Sequence, residues 1–122
     1  MSLAYLNTTN NSAVVLIDRK SVLDTTTNRR NITFSAERVV NISLCNKHAT
    51  DSVTVDLWIR KYTDNNVGGE TETNFYILNN VLIPNGASLV LGRESGINFN
   101  NTDRKLYIQL SASDSAVDVI IK

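Results

Sequence analysis

A single cysteine, Cys45, rules out an internal disulfide framework, so a packed core has to hold this chain together. A single histidine, His48, leaves little material for the commonest acid–base and metal chemistry. No apolar run approaches the ~20 residues needed to cross a bilayer as a helix. The opening "MSLAYLNTTNN" lacks a basic segment followed by a long apolar one, so no secretory signal is expected. Charge of one sign is missing too. Twelve basic and 12 acidic residues cancel, and nothing marks a nucleic-acid footprint or an anionic-membrane binder. A neutral surface does little to oppose self-association, which suits a homo-oligomer or a partner-bound subunit.

What is present fits one domain over residues 1–122, with 1–12 as a possible N-terminal arm. A chain of 122 residues with 42% hydrophobic and 20% charged content can bury roughly two-thirds of its unfolded surface without disulfide or metal. Helix signals are nearly absent, and the longest segments alternate with period two. Ile32, Phe34, Ala36, Val40, Ile42 and Leu44 form one apolar file, broken at Glu37-Arg38, where a bend or bulge is expected. Val53, Val55, Leu57 and Ile59 form a second, opposite Thr54, Asp56, Trp58, Arg60 and Tyr62. Leu106, Ile108, Leu110 and Ala112 alternate with Lys105, Tyr107, Gln109 and Ser111. Ala13 to Ile17 reads as a buried strand and Val117, Val119 and Ile121 as the last one.

Turn formers separate these runs. "NTTNNS", "TTTNRRN", "CNKHATDS", "DNNVGGE" and "NFNNTDR" are rich in residues that cap their own turns. The only proline lies in "YILNNVLIPNGASLVLG". It cannot donate to a sheet ladder, so Pro84 marks a strand end, and Asn85-Gly86 supplies the reversal after it. Two asparagines, Asn79 and Asn80, interrupt the apolar run just before. Strands at this spacing predict an all-β fold, an antiparallel β-sandwich of roughly seven to nine strands, Ig-like or jelly-roll-like.

No catalytic set assembles. His48 has Asp51 nearby, but no Gly-x-Ser-x-Gly elbow supplies a nucleophile. Cys45 and His48 have the spacing of half a zinc site, and no second pair completes it. "DNNVGGE" has the composition of a calcium loop, but the twelfth position counted from Asp64 is Phe75, where an EF-hand needs Glu. Glu70 and Glu72 could share one face as paired acids, and a polar hairpin tip favours solvation for both. Five Asn-x-Ser/Thr triplets, at Asn7, Asn10, Asn31, Asn41 and Asn100, read as turn and strand-surface chemistry. No enzyme activity, metal or cofactor is expected.

The strongest surface signal is Trp58. With the core side of its strand already apolar, Trp58, Arg60 and Tyr62 share the opposite face, and these residue types anchor interfaces. Three readings stay open: a contact with another chain, a second buried layer covered by the N-terminal segment, or an aromatic platform for sugar or single-stranded nucleic acid, for which the strand offers only Tyr62 as a second aromatic. Leu3, Tyr5 and Leu6 form an apolar start that serves either as a first edge strand or as an arm added to a neighbour's sheet.

The C-terminal half carries a resemblance. "YILNNVLIPNGASLVLG" followed by "NNTDRKLYIQLSASDSAVDVIIK" resembles small virion proteins of tailed bacteriophages, common among phages of aquatic bacteria. The matching residues are Ile83, Pro84, Gly86, Ser88 and Leu89, then Asp103, Leu106, Ile108, Ala112, Val117, Asp118 and Val119. "NKHATDSVTV" matches more loosely. The resemblance implies a non-enzymatic virion structural protein, first of all a capsid decoration or cement protein that bridges shell subunits. Its expected partners are the major capsid protein or other virion proteins, with no nucleic acid and no membrane. Its expected location is the virion, assembled in the host bacterial cytoplasm. A neck or tail position is the near alternative, and a carbohydrate-binding, adhesin-like module is the alternative of another class. On this reading the interface residues are Leu3, Tyr5, Leu6, Trp58, Arg60 and Tyr62.

Overall fold

The computed structural model describes residues 3–8, 12–19, 21–24, 29–32, 37–64, 69–111 and 117–122, with the backbone alone at 3–8, 21–24, 29–32 and 64. Its strands are β1 (Leu3–Thr8), β2 (Val14–Ile17), β3 (Ser21–Asp24), β4 (Arg29–Ile32), β5 (Arg38–Val39), β6 (Ile42–Asn46), β7 (Val53–Asp64), β8 (Glu70–Ile83), β9 (Ser88–Leu91), β10 (Phe99–Asn100), β11 (Arg104–Leu110) and β12 (Val117–Ile121). One 3-10 turn, Arg93–Ser95, is the sole helical element among the described residues. None of them forms a helix long and apolar enough to cross a membrane.

Two four-stranded antiparallel sheets make the body, in the orders β1-β12-β6-β9 and β2-β11-β7-β8. β1 pairs with β12, β2 with β11, β6 with β9 and β7 with β8. This nesting, closed by β12 on β6 and β11 on β7, is the double Greek key of an eight-strand jelly roll. It decides between the two sandwich types expected from sequence. Two small ladders, β3–β4 and β5–β10, hang from the connections.

The period-two files explain which faces meet. Ile42, Leu44, Val117, Val119 and Ile121 of one sheet pack against Leu16, Val55, Leu57, Leu106 and Ile108 of the other, all ten fully or almost fully buried in one cluster. Burying each such aliphatic side chain stabilises the fold by ~1.5–3 kcal/mol. The run from Ile32 to Leu44 is divided as expected, but into three and not two: β4, β5 and β6 are separate strands in three different ladders, and Arg38 lies within β5.

The Pro84 segment differs from its expected run, break, run. β8 is one continuous strand to Ile83, and its asparagines lie in a bulge, not a break. Asn80 has φ 55, a left-handed conformation that Asn tolerates, and its amide donates to Asp56 Oδ1 at 2.7 Å. The corner then carries the chain from the second sheet to the first. Gly86 has φ 75 and donates its amide to Asn46 O at 2.8 Å.

Asn46, fully buried, is the side chain that holds this end together. Its Nδ2 donates to Asp51 O at 2.9 Å and to Ile83 O at 3.0 Å, and its Oδ1 accepts the His48 amide at 3.0 Å. Asn101 does the same at another junction, donating to Asp18 O at 3.1 Å and accepting the Glu37 amide at 2.9 Å. Neither stands out in a sequence this rich in asparagine.

Candidate interaction faces

Strand alternation leaves each sheet one outward face, and the two faces differ. On the second sheet, pairing puts Val15, Tyr107, Trp58 and Tyr76 in one transverse row across β2, β11, β7 and β8. Tyr107 stacks parallel on Trp58, with ring centroids 5.3 Å apart and 1° between planes, and Tyr76 packs at 5.4 Å and 31°. The Arg60 guanidinium lies over Tyr107, 4.5 Å from the ring centroid, and donates to its hydroxyl at 3.3 Å. Aromatic contacts of this kind add ~0.5–1.5 kcal/mol each beyond their area.

Trp58 is therefore only 4% exposed, and the chain covers it with its own Tyr107 and Tyr76. The expectation that its ring needs a partner to cover it does not hold. Of the three sequence readings, a second buried layer describes Trp58 itself, and among the described residues β11 and β8 supply the cover. Its Nε1 is buried without a hydrogen-bond partner among the described residues.

Tyr62, 6% exposed, is covered in a different way. Arg19 lies over its ring at 3.9 Å from the centroid, and Lys105 Nζ stands 5.5 Å away. Arg19 also forks onto Glu70, with contacts of 2.6 and 2.9 Å, which latches the end of β2 to the start of β8 across the sheet. That hydrogen bond to Glu70 raises the Arg19 pKa further above its ordinary value. Burial pushes the Tyr107 hydroxyl up, with Tyr62 adding in the same direction and Arg60 opposing. Glu72 faces Arg60 at 3.9 Å, so Glu70 and Glu72 each face a cation instead of each other.

Among the described residues, no aromatic or cationic side chain is seen to cover the outward face of the first sheet in this way. Ile120, Ser43 and Val90 form its row across β12, β6 and β9, with Cys45 and Ser88 paired beside them. Val90 is 58% and Ile120 42% exposed. The ion pair Lys47–Asp118, 2.9 Å, lies at its margin. β1 forms the edge of this sheet, with Leu3 and Tyr5 at the register of Ile121 and Val119. The side chains of Leu3, Tyr5 and Leu6 lie outside the described residues.

The remaining sequence candidates fall elsewhere. His48 accepts the Thr50 and Asp51 amides on Nδ1 at 3.2 and 3.0 Å, ordering its own turn. No group of three or more His, Cys, Asp or Glu side chains among the described residues could hold a metal. Residues 65–68 of the calcium-like loop lie outside the described residues.

No protein-family signature, curated protein or solved structure matches this chain.

Proposed function

We propose that this chain is a non-enzymatic structural component of a tailed-phage virion, a decoration subunit that binds assembled shell and stabilises it by bridging shell subunits. The observation that carries the reading is the outward face of the first sheet. Val90 and Ile120 stand exposed on either side of Ser43, with the small side chains of Ser88 and Cys45 between strands. Where its side chains are short, such a face can approach another protein surface closely, and its apolar pair favours covering by a partner. The sequence resemblance supports the virion context. The jelly-roll connectivity is compatible with it, since shell proteins use this fold, although lectins do too and fold alone assigns nothing.

The mechanism is linkage. A subunit that binds the assembled shell and not free shell protein stabilises the shell by mass action. The test is sedimentation of the full chain with assembled shells and with unassembled shell protein, together with its copy number in purified particles. Binding to assembled shells alone, at a copy number on the scale of the shell's own subunits, is the expected result. A copy number matching a single ring would move the protein to the neck or tail. Absence from particles would end the virion reading.

A further inference from the structure

Beside the aromatic row, the second sheet's outward face sinks into a concavity of about 230 Å³ lined by Thr54, Asp56, Asn80, Gln109, Leu110 and Ser111. The bulge in β8 shapes it. Asn80 turns left-handed there, and its amide pins one oxygen of Asp56 at 2.7 Å. The other carboxylate oxygen of Asp56 has no partner among the described residues. The lining therefore offers a fixed acceptor, amide groups and hydroxyls, and no cation.

Two residues further along β7, roughly 7 Å away at strand rise, the next row is Tyr107, Trp58 and Tyr76. Tyr76 is 55% exposed and backed by Trp58, so its ring is both held and open to solvent. We propose that this face binds a neutral oligosaccharide, with one sugar ring in the concavity and a neighbouring ring stacked on Tyr76. The chemistry matches in three respects. Sugar hydroxyls need directional acceptors and donors, which Asp56 and Gln109 provide. The C–H face of a sugar needs an ordered aromatic, which Tyr76 provides. The lining has no Lys or Arg to balance an anionic sugar, while Asp56 would repel one. The concavity is smaller than the ~300 Å³ at which drug-sized ligand pockets begin, so it takes one ring and leaves the rest of the chain on the open face.

This site is independent of the shell-binding reading and lies on the opposite sheet. The chain holds a single tryptophan, Trp58, next to the proposed site, so its fluorescence reports occupancy directly. The full chain is run through native gels containing dextran, starch, mannan, galactan or xylan, with hyaluronan as the acidic comparison. It is then titrated with fragments of whichever polymer retards it while Trp58 emission is followed. Retardation by at least one neutral polymer is expected, with a saturable emission change. Tyr76→Ala and Gln109→Ala should each weaken binding by about tenfold or more at unchanged circular dichroism, and Val90→Ser should leave it unchanged. Retardation by none of the neutral polymers, retardation by hyaluronan alone, or full affinity in both folded variants would overturn the proposal.

Discussion

The two outward faces of this sandwich are built from the same alternating strands and differ in what covers their side chains. On the face of β2, β11, β7 and β8, Trp58 and Tyr62 are more than nine-tenths buried under Tyr107, Tyr76, Arg19 and Lys105, while Tyr76 and Leu82 stay more than half exposed. The face of β1, β12, β6 and β9 leaves Val90 and Ile120 open around short side chains. A large apolar side chain on a solvent face therefore does not by itself announce a partner. It does so only when the neighbouring strands bring nothing to cover it, and strand order, not strand composition, decides that.

The comparison breaks most visibly at Trp58. Trp58→Ala removes the centre of the aromatic row, and a cost of ~3–5 kcal/mol is expected, the range for a buried aromatic truncated in a core. Trp58→Phe keeps a stacked ring and removes a buried N–H with no partner among the described residues, so its cost should be far smaller, because an unsatisfied donor already forfeits ~1–3 kcal/mol. Urea midpoints of the two variants check this. A mild Trp58→Ala would place the ring outside the packed structure.

The corner that joins the two sheets gives the next effect. Gly86 has φ 75, and nothing within 4 Å would meet an added Cβ, so the cost of Gly86→Val is backbone strain alone, ~1–3 kcal/mol. Gly86→Asn should recover much of it, since Asn tolerates this conformation. Equal melting temperatures for Val and Gly at this position would show that the corner relaxes.

A smaller effect separates the faces by pH. Burial raises the Tyr107 pKa in the folded chain, against an unfolded value of about 10. Above about pH 10 the unfolded chain gives up this proton first, so it binds fewer protons than the native one and stability falls as pH rises. The contribution is intact below the unfolded value and is lost as pH climbs through the folded one. Lys105, raised by Tyr62 and Asp18 against the lowering effect of burial, loses its contribution in the same direction. Urea midpoints across this window should decline, and Tyr107→Phe should flatten the decline. An unchanged slope in that variant would assign the alkaline loss to other groups.

Much of the fold was legible because its signals are local. Period two located the strands that became β6, β7, β11 and β12, the continuous apolar run Ala13 to Ile17 located β2, and Pro84-Asn85-Gly86 marked the corner with its positive φ at Gly86. The bulge at Asn79-Asn80 was misread as a break, because two polar residues in an apolar run look alike whether the strand ends or merely gains a residue. The cover over Trp58 was not legible. Tyr76 arrives on the next strand through the β7–β8 hairpin, but Tyr107 lies about 49 residues further along the chain, and only jelly-roll nesting brings its strand to the other side of β7. The Asn46 hub was hidden for another reason: its burial follows from three backbone groups converging at one sheet end, which leaves no periodic trace.

The cover over Trp58 is the central claim, and the chain's single tryptophan allows a direct test. Acrylamide quenching of Trp58 in the isolated chain, at a dilution where it is monomeric, reads the access of solvent to that ring with no partner present. Weak quenching, close to that of a core tryptophan and unchanged by dilution, is the predicted result. Quenching close to that of free indole would contradict it and return Trp58 to the list of residues that need another chain to cover them.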